Sequence, residues 1–584
     1  MDENQKNQKV FRAPKISKIF ERELIANELS RIIKLKPEAV IPLLEKPKYS
    51  NLGDISFPCF HLSKQLKKNP YDIAIELKEK LQILPLEIEK VDALGGYLNF
   101  FLNKKTFIIS TVNKILKQKD KYGSKKQNKK KIVIDFSSPN IAKPMSIGHL
   151  RSTIIGNSLY KIHSFLGYKC IAINFLGDYG TQFGKLLVAY KKWNPSKAEF
   201  EKDPINTLLK LYNKFHVEAE SNLKLEDEAR KEFKKLEEGD KENIVLWKKF
   251  RALSIKEFEK FYSILGVKFD LYSGESFYRK DAAQIITEMR RRNIAVESQN
   301  ALIVNLEKYN LPPLLIRKSD GATMYSTRDI AAAAARYNTY KFEKMLYVVA
   351  SEQNTYFKQL FKTLEILGMK WAKDCRHVNF GMIYMEKGKI STRKGEIIFL
   401  EDVIEKIINL SREMIADRKL SEAEKSKIAK AVGVSALIYS DLSNDRIKDI
   451  KFDWDRILRL DGDSGPYLQY TYARANSILT KIKAKPKNLS KKDLDINLAE
   501  EEKELALLLN EFPLIVENAA SSFSPHVIAN YVRKVADTFN TFYEKCPVLK
   551  AENERNVRLA LTAATAQVIK NSLLLLGMIP LEKM

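Results

Sequence analysis

Lys131-Ile132-Val133-Ile134-Asp135-Phe136-Ser137-Ser138-Pro139-Asn140-Ile141-Ala142-Lys143-Pro144-Met145-Ser146-Ile147-Gly148-His149-Leu150-Arg151-Ser152 is the stretch on which the fold turns. Residues 132–136 form a β-branched run, the signature of a buried strand. Ser137-Ser138-Pro139-Asn140 reads as a loop, and a helix is predicted from near Ser146 past Tyr160. A second strand follows at 170–175, after which Leu176-Gly177-Asp178-Tyr179-Gly180 turns into another helix. Strand, crossover helix and strand make the βαβ unit of a parallel sheet. The strand pattern resumes at 344–350 and 378–383.

Around this core the chain divides by texture. Residues 1–120 read as a mixed α/β domain, with helical stretches at 30–33 and 64–67 and a strand at 96–102. A lysine-dense run, 114–131, reads as a linker. The α/β core spans 121–400, with an insertion at about 195–340 whose first part, to 265, is highly charged and helical. A helical connection, 401–450, leads to an all-helical domain, 451–584. No repeat of fixed period is present.

Composition narrows the class. At about 150 residues per domain, 584 residues predict three or four units. Hydrophobic residues at 45% and charged ones at 30% fit a globular chain rather than a disordered one. No apolar run approaches the roughly 18 residues of a spanning helix, so no membrane is expected as a partner. The polar opening Met1-Asp2-Glu3-Asn4 lacks the apolar core of a secretion signal. Cys59, Cys170, Cys375 and Cys546 form no CxxC pair, which argues against a disulfide framework or a cysteine zinc site. A cytoplasmic protein without structural metal is expected. Lys plus Arg number 100 against 73 Asp plus Glu, a net charge of +27. That excess suits a polyanion, whose counterions are released on binding; a lysine-rich surface facing only water would give the same sum.

Two segments carry the chemistry. The first is the helix start at Gly148-His149. A helix amino terminus presents free N–H groups and a positive dipole end to phosphate, and a loop after a parallel strand lies where ligands bind. Taken alone, a satisfied structural histidine fits as well. The second is Lys387-Gly388-Lys389-Ile390-Ser391-Thr392-Arg393-Lys394-Gly395, a glycine-flanked basic loop that could oppose charge developing on a triphosphate. Alone, it reads more readily as a solvated basic turn.

Together, and in this order, Ser146-Ile147-Gly148-His149 and Lys389-Ile390-Ser391-Thr392-Arg393 resemble the two ATP motifs of class I aminoacyl-tRNA synthetases. The segments 136–144, 176–184 and 391–395 narrow the likeness to the arginyl-tRNA synthetases, over nearly the whole chain. The resemblance implies a Rossmann-type parallel-sheet catalytic core with a helical insertion, an N-terminal α/β added domain and a C-terminal all-α anticodon-binding bundle. It implies arginine activation by ATP, with Mg²⁺ accompanying ATP, and transfer to the 2′-hydroxyl of the terminal adenosine of tRNA(Arg), by a monomer. Lys143, His149, Lys389 and Arg393 would stabilise the phosphates, with Ser146, Gly148 and Ser391 also at ATP. Asp329, Tyr325 and Gln353 would form the arginine side-chain pocket, and Asn140 and Asp135 would hold its α-amino end. Tyr97 and Asn99 would meet the tRNA elbow near the D-loop. Tyr467, Tyr470, Arg474 and the last residue, Met584, would meet the anticodon arm.

Two positions depart from the general pattern. Ser146 stands where the first motif usually has histidine. Thr392 stands where the class I loop has a second lysine, for which Lys143 would substitute, as in arginyl enzymes. A glutamyl or cysteinyl type of synthetase is disfavoured by the acidic pocket at Asp329 and by the absence of paired cysteines. A catalytically silent, synthetase-like RNA-binding protein is the remaining alternative; retention of both ATP segments and of the Tyr325–Asp329 pair argues against it.

Overall fold

The computed structural model describes residues 19–45, 47–81, 84–85, 87–319, 324–385, 399–482 and 486–584. Its centre is a sheet of five parallel strands: β1 (Lys131–Asp135), β2 (Lys169–Leu176), β3 (Leu271–Gly274), β4 (Lys344–Tyr347) and β5 (Cys375–His377). The spatial order is β5-β4-β1-β2-β3. Val133 of β1 lies in register with Met345 on one side and Ile171 on the other. The direction of winding therefore reverses between β1 and β4, and the carboxyl ends of those two strands form the crevice where such sheets bind ligands.

The two-residue alternation of the strands sorts side chains onto two cores. Val133, Ile171, Ile173, Met345 and Tyr347 face the helices α3 (Tyr325–Tyr340) and α4 (Asn354–Ile366). Ile132, Ile134, Ala172 and Leu346 face α1 (Ile147–Phe165), in a core continuous with the carboxyl-terminal helices. The alanine run of α3 is buried at Ala331, Ala332 and Ala333, small side chains that let the helix lie close to the sheet.

Two expected features of the sheet differ. Leu271–Gly274 is a core strand inside the stretch read as insertion; four residues with a single aliphatic among them carry too little pattern to be seen. Among the described residues, the helices before it are Lys197–Lys202, Pro204–Ser221, Lys224–Glu238 and Lys241–Leu265, and a small antiparallel sheet of 295–317 follows. The late strand, placed at 378–383 from its apolar alternation, lies upstream at β5. Residues 378–382 instead leave the sheet, and Ile383–Met385 pairs in parallel with Ile450–Phe452.

The amino-terminal unit is a three-stranded antiparallel sheet with its own core, Tyr97–Leu102 lying between Ile55–Pro58 and Ile88–Leu94. The lysine-dense run after it is not an open linker throughout. Its first residues continue the helix Lys104–Gln118, and Tyr122 is fully buried. The Tyr122 ring stacks on Phe512 at 5.9 Å, and its hydroxyl donates to the Leu509 carbonyl at 3.1 Å. The carboxyl-terminal bundle contains Glu422–Leu442, Gly465–Ile482, Glu500–Asn510, His526–Lys545 and Arg555–Leu576. Among the described residues one helix, Arg555–Leu576, is long and apolar enough to cross a membrane, and it is mostly buried in this bundle.

Candidate active site

The loop from β1 to α1 is held in strained backbone. Ser137, Ser138 and Ala142 have φ of 71°, 48° and 61°, a region that costs L-residues about 1 kcal/mol or more each and persists where the surroundings over-determine it. Here they do. Ser137 N–H donates to Ser152 Oγ (2.8 Å), Ser137 Oγ meets the Tyr262 hydroxyl (2.8 Å), and Ala142 N–H donates to Ser254 Oγ (2.8 Å). Tyr262 and Ser254 belong to the helix Lys241–Leu265, so the insertion clamps the loop that begins the site.

A cleft of about 460 Å³ opens at the crevice between β1 and β4. Ser138, Ser146, Gly148 and His149 line one side; Ala350, Glu352 and Met382 line the other. Ser146 is the cap residue of α1, and its N–H donates to His149 Nδ1 at 3.0 Å. That bond leaves Nδ1 as the acceptor and places the ring proton of the neutral form on Nε2. Burial lowers the His149 pKa, which favours that neutral form. The cleft therefore has an imidazole N–H donor beside the free amides of a helix start. Gly148 is exposed, and a β-carbon there would approach only Ser146 Oγ, at 3.6 Å, so packing within the protein does not demand glycine. What glycine leaves open is space in the cleft.

Lys389, Ser391 and Arg393 lie outside the described residues. The ends of their segment are visible: Ile383 lines the cleft, and Phe399 pairs with Ser146 across an antiparallel bridge. Lys143 does not line this cleft. Its ammonium sits 4.6 Å from the ring centroid of Tyr212, on the insertion helix Pro204–Ser221, and burial lowers its pKa.

Tyr325 and Asp329, expected to line an amino-acid pocket, both lie on α3. The two residues share a helical face, as their spacing of four predicts. The Tyr325 ring meets that of Tyr356 edge-on at 5.0 Å, and the Tyr356 hydroxyl donates to Asp329 Oδ2. The charged neighbours are already paired. Arg328 binds Glu275 (2.6 Å), and Arg336 binds Asp135 (2.7 Å). Among the described residues no cation forms an ion pair with Asp329. The residue keeps a partly open surface while its carboxyl group lies deep among these neighbours, and burial pushes its pKa up to about 7, with the Tyr356 hydroxyl opposing. A cation brought beside this carboxyl group would favour its ionised form. Gln353 is exposed at the start of α4, one turn before Tyr356.

Other expected contacts are placed differently. Asp135 is buried on Arg336, with Ser138 Oγ donating to it at 2.9 Å, so it braces the site from beneath and is not free for an amino group. Asn140 is exposed and lies across Gly177, where a β-carbon would fall 1.9 Å from Asn140 Oδ1, so any larger residue there would displace the Asn140 side chain. Asn99 is 4% exposed and accepts from Ser56 Oγ, so it supports the sheet from within. Tyr97 is half-buried against Phe60. Tyr467, Tyr470 and Arg474 do share a face, but it turns partly toward the helix His526–Lys545. The Tyr467 hydroxyl donates to Asp537 (2.8 Å), and Arg474 binds Asn540 (2.9 Å) and the Tyr470 hydroxyl (3.2 Å). These rings are not free stacking platforms. Met584 is half-buried.

Sequence reasoning missed Arg151 and Tyr356. Arg151 is 1% exposed on α1, paired with Asp441 at 2.9 Å and donating to the Gly381 (2.6 Å) and Lys448 (3.0 Å) carbonyls. One guanidinium thus joins the helix at the cleft to the chain before segment 386–398 and to the carboxyl-terminal helices. An arginine one turn into the helix, next to the apolar positions Leu150 and Ile154, was the available signal.

Comparison with known proteins identifies the family. The family model described as "tRNA synthetases class I (R), catalytic domain" matches residues 111–454. "Arginyl tRNA synthetase N terminal domain" matches 21–102, and "DALR anticodon binding domain" matches 468–584. The chain is 46% identical over 551 residues to a protein of Alkaliphilus metalliredigens named arginine–tRNA ligase, covering 93% of this chain and 96% of that one. It is 46% identical over 566 residues to one of Clostridium perfringens with the same name, covering 96% and 100%. Among solved structures it resembles the arginyl-tRNA synthetase of Thermus thermophilus (TM-score 0.77, 23% identity, 96% and 100% covered). That of Plasmodium falciparum is similar to the same degree (TM-score 0.77, 26% identity, 97% and 100% covered). With the class I catalytic match spanning more than half of its length, the chain belongs to the arginyl-tRNA synthetase family.

Proposed function

We infer that the protein activates L-arginine with MgATP and transfers the arginyl group to the 2′-hydroxyl of the terminal adenosine of tRNA(Arg), releasing AMP and pyrophosphate. The observation that carries the reading is Asp329, a sunken carboxyl group that among the described residues has no cation partner while Arg328 and Arg336 are paired elsewhere. A guanidinium brings the missing charge and a planar fork of donors that matches a carboxylate. Tyr325 is the packing face of the pocket, and Gln353 and Asn140 are further contacts for the substrate.

Arginine's carboxylate attacks the α-phosphorus in line and pyrophosphate leaves; no covalent enzyme intermediate is required. The residues act by positioning and charge. The neutral His149 ring donates from Nε2 to ATP, beside the amides of Ile147 and Gly148. Lys389, Ser391 and Arg393 stabilise the phosphates; the described residues on either side of their segment, Ile383 and Phe399, lie at the cleft. Lys143 contributes only by leaving Tyr212. The amino-terminal unit, through Tyr97, and the carboxyl-terminal bundle, through Met584, grip the tRNA. The enzyme works as a monomer in the cytoplasm and needs no resident metal. Aminoacylation of total tRNA with each of the twenty amino acids tests the reading; arginine alone should be charged, and charging of another amino acid instead would refute it.

Asp329 also dictates a pH dependence. The guanidinium selects the ionised carboxyl, and in the free protein that group titrates at about 7. Arginine affinity should be level above about pH 8 and fall about tenfold per pH unit well below 7, with proton release on binding. Calorimetric titration of arginine from pH 5.5 to 8.5 checks this, and a flat profile would contradict it.

A further inference from the structure

The last insertion helix, Lys241–Leu265, and the turn Glu275–Tyr278 after β3 enclose an open groove of about 500 Å³. Trp247, Lys248, Arg251, Lys256, Glu259 and Phe277 line it. Phe277 is 58% exposed, although its neighbours are committed to the interior. The Ser276 N–H and hydroxyl both donate to Asp178 at 2.9 Å, and Glu275 pairs with Arg328. The ring itself is held. The Arg251 guanidinium lies 5.2 Å from its centroid and is anchored by Asp178 (3.1 Å) and the Tyr272 carbonyl (3.2 Å). One face of the phenyl ring is thus backed by a fixed cation, and the ring remains open to solvent.

Charge points the same way. Lys248 and Lys256 are exposed and lie about 12 Å apart along the helix axis, and Glu259 is the single carboxylate among the lining residues. A rigid aromatic ring flanked by lysines is the combination that binds unpaired nucleotides, by stacking on the base and by charge on the backbone. The groove also adjoins the amino-acid pocket, because Glu275, two residues before Phe277, holds Arg328 next to Asp329. A nucleotide resting there would deliver the strand beyond it toward the activated carboxyl group.

We propose that this groove receives an unpaired nucleotide of the 3′ acceptor end of tRNA, its base on Phe277 and its phosphates against Lys248 and Lys256. The proposal rests on the aminoacylation reading above, and its test separates the two. Binding of intact tRNA, and of tRNA trimmed of its 3′ single strand, is measured by fluorescence titration with the full-length wild type, Phe277→Ala, Phe277→Trp and a Lys248→Ala/Lys256→Ala double variant. Phe277→Ala should weaken intact tRNA by about 5- to 150-fold, the worth of one stacked base. Phe277→Trp should retain binding, the lysine variant should lose it, and the Phe277→Ala penalty should vanish with trimmed tRNA. The KM for arginine and for ATP should not move. Unchanged binding of intact tRNA, or an equal loss with trimmed tRNA, would overturn the groove assignment. Failure of the wild type to charge arginine would overturn the parent reading, while the two binding series would still decide the groove.

Discussion

Asp329→Ala is expected to raise the arginine KM by about 10²-fold or more while leaving ATP binding nearly unchanged. The substitution removes a carboxylate that among the described residues has no cation of its own, and losing one side of a desolvated charge pair costs about 2–5 kcal/mol. Steady-state kinetics with arginine and ATP varied separately make the distinction, and unchanged arginine affinity in a folded variant would refute the pocket. A second consequence has the opposite sign. The native carboxyl titrates at about 7, well above its ordinary value of 3.8. In that pH interval the native state binds more protons than the unfolded one, so this group's contribution to stability falls as pH rises from about 4 to about 7. Asp329→Asn, which carries no charge, should therefore unfold at a higher temperature than the arginine-free wild type at pH 8. Added arginine should stabilise the wild type far more than the variant. Site and stability are opposed at this residue, as expected of a charge kept for a ligand.

His149→Ala and Lys389→Ala should each lower the rate of adenylate formation by about 10²-fold, the scale for losing one preorganised donor at developing charge. The motive for His149 is its ring geometry at the start of α1; for Lys389 it is the place at the cleft of Ile383 and Phe399, the described residues on either side of its segment. Lys143→Ala is the informative companion. A comparable loss would mean that the ammonium leaves Tyr212 during the reaction. Near-normal kinetics would leave Lys143 as a brace between the catalytic core and the insertion. ATP–pyrophosphate exchange in the presence of arginine and tRNA reads all three.

What could be read from the sequence was local. The βαβ unit is visible because β1 and α1 carry their own periodicities and are joined by a polar loop. The shared face of Tyr325 and Asp329 follows from a spacing of four in one helix. The rest depends on contacts between distant residues. Tyr356 reaches Asp329 across 27 positions, and Arg336 reaches Asp135 across the whole insertion. For that reason Asp135, at the end of a strand, reads as a ligand in the sequence but proves to be Arg336's partner. Asn99 shows the limit of strand alternation: its strand is central in a sheet covered by packing, and position alone does not say which face is open. Tyr467 and Arg474 show the same limit for helices. Their common face is legible, but the helix that covers part of it, His526–Lys545, is not adjacent in the chain. The charge at Arg151 could have been noticed, since a buried arginine needs partners, yet Asp441 and the Gly381 carbonyl could not have been named.

The claim at the centre of the account is that Asp329 reads the positive charge of the substrate side chain. Citrulline is close in shape to arginine but carries a neutral ureido group in place of the guanidinium, so equilibrium binding of both by the wild type and by Asp329→Asn isolates that charge. The account predicts that the wild type prefers arginine by about 10²-fold or more, from the usual cost of an unpaired buried charge, and that the preference collapses in Asp329→Asn. A wild-type preference that persists undiminished in the variant would contradict it.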